Sequence, residues 1–390
     1  MRLLYAHDVR IIKNNQLYYS YTFDYSLWKR YLKEFESMIV ASRQIELDQL
    51  QHEVPLSSGE RVEFIEIPSL NNNFSKYFWN RNRGKKIIND ILNKVDCVIV
   101  RLPSSVGLLT YQLAKKKNIP VAVELVGFPN DAFRYHGSLL GKMYAPLATF
   151  KYKRVLKNAT HAIYVTEYAL QKKFPTLGFT YSASNVVINR EYQNRYLDSL
   201  DKRIPEREEI KIGLIGQVDI YYKGVDTALL ALKRIIKKMP NLNIKLEIIG
   251  GGDLSKWKQW IENNKMKNNV TFLGKLTKNE IDKWFESIYI YIQPSRTEGL
   301  PRSVIEAMNF GLPIVATNVG GIPELIDSRF LHNSGDYKAL ATLILDLLNN
   351  EDLRIDQSKR NYNRAGEFMV DHLDRKRNDF YHDFKEFIKK

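Results

Sequence analysis

The chain has 390 residues, 44% of them hydrophobic, and a single cysteine. That length exceeds what one core usually serves, so two domains are expected, and a lone cysteine excludes an intrachain disulfide framework. A formal net charge of +15 asks for an anionic partner or a solvated basic surface. Nucleic acid is disfavoured, because there is no zinc-ligand spacing and no RNP-like string, and the α/β alternation does not suit a helix-turn-helix.

The N-terminus, Met1-Arg2-Leu3-Leu4-Tyr5-Ala6-His7-Asp8, turns polar too early for a secretory segment, and no apolar run is long enough to span a bilayer. A cytoplasmic protein is expected, with an anionic membrane face as a partner for its basic surface. Short apolar runs over 2–6, 37–41, 62–67, 96–100, 121–126, 161–165 and 186–188 alternate with helical stretches, which predicts a doubly wound α/β domain. No G-x-G-x-x-G follows the first strand, so a dehydrogenase is unsupported. Cys97, inside an apolar run, reads as a small buried side chain rather than a nucleophile. His7 and Asp8 are expected at the carboxyl end of the first strand. The tyrosine-rich stretch 18–25 precedes a helix over 26–35 and suits either packing on the core or stacking on a sugar. Two stretches combine apolar with basic residues: Phe74, Tyr77, Phe78 and Trp79 beside Arg81, Arg83, Lys85 and Lys86, and a helix over 138–158. Each fits a packed, solvated helix or a membrane-facing one.

Residues 190–209 are polar and charged, with Pro205, and are the candidate linker. A second domain then opens with a strand over 210–215, a loop to Lys223 and a helix from Gly224. A strand over 244–249 ends in Gly250-Gly251-Gly252-Asp253, which a tight turn alone would explain. The apolar run 288–292 predicts a buried strand, and the polar loop 295–299 leaves it. Pro301 suits the first position of a helix, and Gly311 a left-handed stop. A strand over 313–317 ends in Asn318-Val319-Gly320-Gly321, and Pro323 opens a further helix with Glu324 in its first turn. Helices over 336–349 and 351–365 follow, and 366–390 is helical and basic.

Two strand-to-helix junctions in succession predict an anionic ligand, since ligands sit beyond the carboxyl ends of parallel strands and helix starts attract phosphate. Glu298 and Glu306 stand at the same junction. Ionised carboxylates only accept hydrogen bonds, so they suit sugar hydroxyls better than a diphosphate.

The pair Glu298 and Glu306 lies within PSRTEGLPRSVIEAMNFGLPIVATNVGGIPEL. This segment resembles the signature of retaining glycosyltransferase family 4, also called glycosyl transferases group 1. Pro-Ser before the loop, Glu-Ala-Met after it, and the closing Gly-Gly-x-Pro-Glu agree as well. The resemblance covers most of the second half. It implies a GT-B fold: two Rossmann-like, doubly wound α/β domains facing an interdomain cleft. Residues 1–195 would form the acceptor-side domain and 196–371 the nucleotide-sugar domain, with a helix over about 372–390 packing back on the first.

The resemblance also implies roles. Glu306 would bind the ribose hydroxyls and Glu298 the donor sugar. Backbone groups around Arg302 and Ser303 would meet phosphate, with Gly299 and Leu300 beside the donor. Lys223 would contact the diphosphate, sharing that work with Arg296 or Arg302. Gly216, Gln217 and Leu276 would lie along the nucleotide. No metal or other cofactor is expected, so cationic side chains and helix starts must supply positive charge. The substrate would be a nucleotide sugar, UDP-linked in preference to GDP-linked, and the acceptor a glycan or lipid-linked hydroxyl of a cell-envelope pathway.

The sequence departs from the family in three places. The first-domain glycine loop is absent, Gln217 and Val218 stand where relatives carry an arginine, and no histidine follows the strand over 121–126. Asp131 and His136 are the nearest polar substitutes there and are candidate catalytic residues. A nucleotide-sugar epimerase, or a catalytically silent GT-B partner in polysaccharide assembly, are the rival readings.

Overall fold

The computed structural model describes residues 1–47, 54–70, 74–129, 139–188 and 209–390. They form two compact units. One runs to Ala183 and takes in Asp374–Lys390, and the other is Ser184–Leu373. The expected linker falls, but for its last residue, outside the described residues. So do Asp131 and His136.

The first unit is built on β1 (Arg2–Asn14), β2 (Leu17–Tyr19), β3 (Ser37–Glu46), β4 (Val62–Glu66), β5 (Cys97–Leu102), β6 (Val121–Leu125), β7 (His161–Tyr164) and β8 (Phe179–Ser182). Their order is β4-β3-β1-β5-β6-β7-β8, all parallel, with β2 antiparallel against β1. Leu3, Leu4, Tyr5 and Ala6 are wholly buried, as expected of a central parallel strand covered on both faces. Cys97 is buried too, and burial with Asp96 nearby pushes its thiol up to about 12. That suits packing, not nucleophilic chemistry.

Three elements differ from expectation. β1 does not stop at Ala6. It shifts register between Ala6 and Arg10 and continues to Asn14, because the turn at Asn15 (φ 53°) folds β2 back on its last residues. His7 and Asp8 therefore sit at an irregularity within the strand. β8, Phe179-Thr180-Tyr181-Ser182, is a four-residue outer strand too short to register as an apolar run, with Phe179 largely exposed. Residues 186–188 form no strand. Their apolar side chains instead pack into the second core, and Ile188 makes an isolated bridge to Met369. Of the tyrosine-rich stretch, Tyr18 stacks on Phe64 at 4.5 Å and Tyr25 starts the helix Tyr25–Leu32, capped by Asp24.

The last helix, Val370–Lys389, places Phe380, Tyr381 and Phe384 in the first unit's core beside Trp28 and Tyr31. Each buried phenylalanine stabilises by about 1.5–3 kcal/mol. Glu124 of β6 is buried here and accepts from the hydroxyls of Tyr31 (2.8 Å) and Tyr381 (3.3 Å), with Arg101 at 3.7 Å.

The second unit carries β9 (Ile210–Ile215), β10 (Ile244–Ile249), β11 (Val270–Gly274), β12 (Ile290–Gln293), β13 (Ile314–Thr317) and β14 (Leu331–His332). They form a parallel sheet in the order β11-β10-β9-β12-β13-β14. The chain runs outward from β9 to one edge, then returns beside β9 and runs to the other. The direction reverses between β9 and β12, the place beyond the strands' carboxyl ends where doubly wound parallel sheets bind ligands. The helix Val225–Lys238 covers the sheet with Val225, Ala228, Leu229, Leu232 and Ile235, buried at helical spacing.

Candidate active site at the β9–β12 switch point

Glycines shape this switch point. After β9, Gly216 lies against the Lys223 side chain, whose carbons come within 3.1 Å of where a Cβ would stand. Gly224 follows with φ 73°, and a Cβ there would meet the Pro294 carbonyl oxygen at 2.0 Å. The Arg296 amide donates to the Tyr222 carbonyl at 2.7 Å. The β9 loop is thereby pressed onto the β12 loop. From the other side, Gly320 (φ 57°) would place a Cβ 1.8 Å from the Glu298 carbonyl oxygen, and Gly321 N–H donates to the Gly299 carbonyl at 2.7 Å. Only glycine adopts this backbone without strain at such close approach.

The result brings Lys223 and Glu298, 75 positions apart, into an ion pair of 2.8 Å with side chains 20% and 10% exposed. The same Glu298 oxygen, Oε1, also accepts from Ser295 Oγ at 2.8 Å and Gln293 Nε2 at 3.1 Å. Among the described residues nothing donates to Oε2.

The helix after the loop is Arg302–Asn309, one residue later than expected, with Pro301 at the N-cap and no side-chain cap. It stops at Gly311, φ 64°. The helix Val225–Lys238 also starts without a side-chain cap, at Gly224. Both helix starts lie at the switch point and favour anions. The first unit contrasts with this at its own switch point, between β1 and β5. There Asp8 accepts from the amides of Ser105 (2.5 Å) and Val106 (3.1 Å), so the chain's own carboxylate closes the start of the helix Ser105–Lys116. His7 beside it has its imidazole pushed down to about 3 by burial and by the Arg101 and Arg43 cations.

Glu306 lies one turn beyond Arg302 on its helix, and Arg302 Nε donates to it at 2.8 Å. Arg302 is 69% exposed, so this pair is worth little and yields easily to a ligand. Arg296, the expected helper of Lys223 at the diphosphate, is held within the site by an acid of its own. Asp226 holds its guanidinium through two bonds of 2.9 and 2.6 Å, and it lies 3.8 Å over the Tyr221 ring. These contacts join the β9 and β12 loops. Ser303 Oγ turns inward to Gln293 Oε1 at 3.0 Å. Gln217 is exposed after β9, Gly216 N–H donates to the Ile249 carbonyl at 2.9 Å, and Leu276 and Leu300 pack half-buried on the core.

Sequence reasoning overlooked Gln293, Tyr291 and Asp226. A polar residue closing an otherwise apolar buried strand is the signal that would have found Gln293. Asp226 is an ordinary first-turn acid until Arg296 is seen against it.

The second unit is thus a doubly wound domain with two helix starts that carry no side-chain cap and a lysine paired with a carboxylate at the switch point. In comparison with known proteins, residues 199–364 match the model for glycosyl transferases group 1. Protein CapJ of Staphylococcus aureus is 35% identical over 348 residues, covering 88% of this chain and 85% of that one. The chain belongs to the glycosyl transferases group 1 family. The capsular polysaccharide biosynthesis glycosyltransferase CapM of Staphylococcus aureus is 26% identical over 213 residues, 51% of this chain and 52% of its own. Among solved structures, Alr3699/HepE of Anabaena in complex with UDP and glucose superposes with a TM-score of 0.64 at 16% identity, covering 96% of this chain and 97% of that one. The fold is GT-B.

Proposed function

We propose that the protein is a retaining glycosyltransferase that moves a sugar from a nucleotide diphospho-sugar, UDP-linked in preference to GDP-linked, to a hydroxyl of a glycan or lipid-linked acceptor in capsular or other cell-envelope polysaccharide synthesis. The observation that carries this reading is Lys223 and Glu298 joined at the switch point beside two uncapped helix starts, with Glu306 one turn inside the second. The UDP complex of HepE supports the donor class, and the name of CapM supports the pathway.

In this reading the diphosphate sits on the amides at Arg302 and Ser303 and draws Lys223 from Glu298. Arg302 swings off Glu306, which then accepts from the ribose hydroxyls. Glu298 Oε2 accepts from hydroxyls of the transferred sugar. As the bond from the anomeric carbon to the diphosphate breaks, negative charge grows on the leaving group, where Lys223 and the helix starts stabilise it. The acceptor oxygen bonds to the same face of the anomeric carbon, and its proton passes to the departing phosphate oxygen. The positive charge comes from the chain itself, so chelators should leave turnover intact.

Membrane contact is proposed on the basic surface. No helix among the described residues is long and apolar enough to cross a bilayer. Phe78 and Trp79 are 63% and 66% exposed on the helix Phe74–Leu92, and Arg83 lies 5.7 Å from the Trp79 ring. This aromatic and basic pairing suits an anionic lipid surface. Binding to anionic but not neutral vesicles, reversed by salt, is the expected result.

The direct test of donor class is a thermal-shift panel of UDP-, GDP- and ADP-sugars. A ligand at a hundred times its Kd stabilises by about 2.7 kcal/mol. Stabilisation by UDP-sugars, followed by UDP release that rises on adding an acceptor glycan fraction, is expected. Stabilisation by none of them would overturn the reading.

A further inference from the structure

Gln293 ends β12 and is wholly buried, although every other residue of the run 288–293 is apolar or aromatic. A buried primary amide needs partners for both its oxygen and its nitrogen. Gln293 has four. Its Oε1 accepts from Tyr291 Oη (2.6 Å) and Ser303 Oγ (3.0 Å), and its Nε2 donates to Ser295 Oγ (2.7 Å) and Glu298 Oε1 (3.1 Å).

The direction of these bonds is set from both ends. Ile215 N–H donates to Tyr291 Oη at 3.4 Å, which turns the phenol proton toward Gln293. Burial pushes the Tyr291 phenol up, so it remains a donor. At the other end a carboxylate only accepts, so the amide nitrogen must face Glu298. The amide therefore spans the strand, the Glu298 loop and the Ser303 helix start. Together with Ser295 and Lys223 it loads Glu298 Oε1, and among the described residues nothing donates to Oε2.

We propose that Gln293 is a positioning residue for sugar transfer: its amide selects which oxygen of Glu298 faces the donor sugar and ties that carboxylate to the phosphate-facing helix start at Ser303. The inference rests on the donor site proposed above. It also explains why a strand otherwise filled with apolar side chains ends in an amide.

Two variants test it. In Gln293→Glu the new carboxylic acid, when protonated, keeps three of the amide's four bonds: one oxygen accepts from Tyr291 and Ser303, and the single hydroxyl donates to Glu298, while the bond to Ser295 is lost. When ionised it can only accept, and two neighbouring carboxylates repel. The titratable groups facing this position are Tyr291 on the same strand, Glu298 in the following loop, Lys223 on the β9 loop and Glu306 on the Arg302–Asn309 helix. Gln293→Leu removes the steering at every pH.

The readout is UDP release from whichever of UDP-glucose, UDP-galactose, UDP-N-acetylglucosamine and UDP-N-acetylgalactosamine the wild type hydrolyses fastest. Turnover by Gln293→Glu relative to wild type should fall at least about tenfold as pH rises from about 6 to about 8.5, a loss that the coupled acids impose. Gln293→Leu should be slow throughout, by about tenfold or more, while both variants bind UDP within about threefold of wild type. A merely structural role would move UDP affinity and the unfolding midpoint together with turnover, and that result overturns the proposal. So does wild-type turnover by Gln293→Leu. The proposed function fails separately, if no nucleotide sugar stabilises the wild type, and a wild type that hydrolyses no UDP-sugar without an acceptor leaves that reading standing. The positioning claim is then read from a crystal structure of Gln293→Leu, where an unmoved Glu298 carboxylate would overturn it and a rotated one support it.

Discussion

Glu298→Gln should move nucleotide binding and turnover in opposite directions. In the resting site Lys223 Nζ lies 2.8 Å from Glu298 Oε1, largely shielded from solvent. A hydrogen bond to a charged group contributes about 1.5–3 kcal/mol and a neutral one about 0.5–1.5 kcal/mol, so a neutral amide weakens the hold on Lys223 by about 1–1.5 kcal/mol. The diphosphate then meets less competition for the lysine, and UDP should bind about five- to tenfold more tightly. The amide oxygen still accepts from Ser295 and Gln293, which keeps the loop in place. The donor sugar, however, loses a charged acceptor just as positive charge develops on it. Turnover should fall about tenfold or more. Calorimetry with UDP and steady-state kinetics with the preferred UDP-sugar measure both quantities on one preparation. UDP binding weakened about tenfold would show that Glu298 does not compete for Lys223. Unchanged turnover would remove Glu298 from the sugar site.

Glu306→Gln should weaken UDP and UDP-sugar alike, by about five- to tenfold, because a charged acceptor for the ribose becomes a neutral one in both; calorimetry with UDP alone is sufficient to check it. Gly320→Ala, at φ 57° and with the Glu298 carbonyl in the way, should destabilise by at least about 1–3 kcal/mol in denaturant titration and displace the Glu298 loop. Turnover should fall further than stability alone accounts for. His7 is held neutral in the folded protein, with its imidazole pushed down to about 3, while the unfolded chain takes up a proton near pH 6.5. The unfolded state thus binds more protons between those values, and stability should fall with acidification from about 6.5 downward, by up to about 1.4 kcal/mol per pH unit. Urea titrations of wild type and His7→Phe across that range should show a shallower slope in the variant. Dialysis against EDTA should leave turnover within about twofold of wild type, and activity lost to EDTA and restored by magnesium would refute the assignment of Lys223 as the main counter-charge.

The chain's own order of residues made the α/β class, the longer second-half strands and the acids Glu298 and Glu306 legible. Apolar runs bounded by Gly and Pro are local signals, and a buried parallel strand writes itself as one. The same locality explains the misreadings. The extension of β1 past His7 depends on a hairpin partner, and the outer strand β8 offers only four residues, too short a run to stand out. What lies far apart in sequence was decided only by tertiary structure. Nothing local says that Lys223 and Glu298 meet, since that follows from β9 and β12 being neighbours where the winding reverses. Nor does anything local say that Asp226 engages Arg296, or that Asp8 closes one helix start while those at Gly224 and Pro301 carry no side-chain cap. Charge type is a property of a residue. Whether that charge is free to meet a ligand is a property of its neighbours, and the fold chooses them.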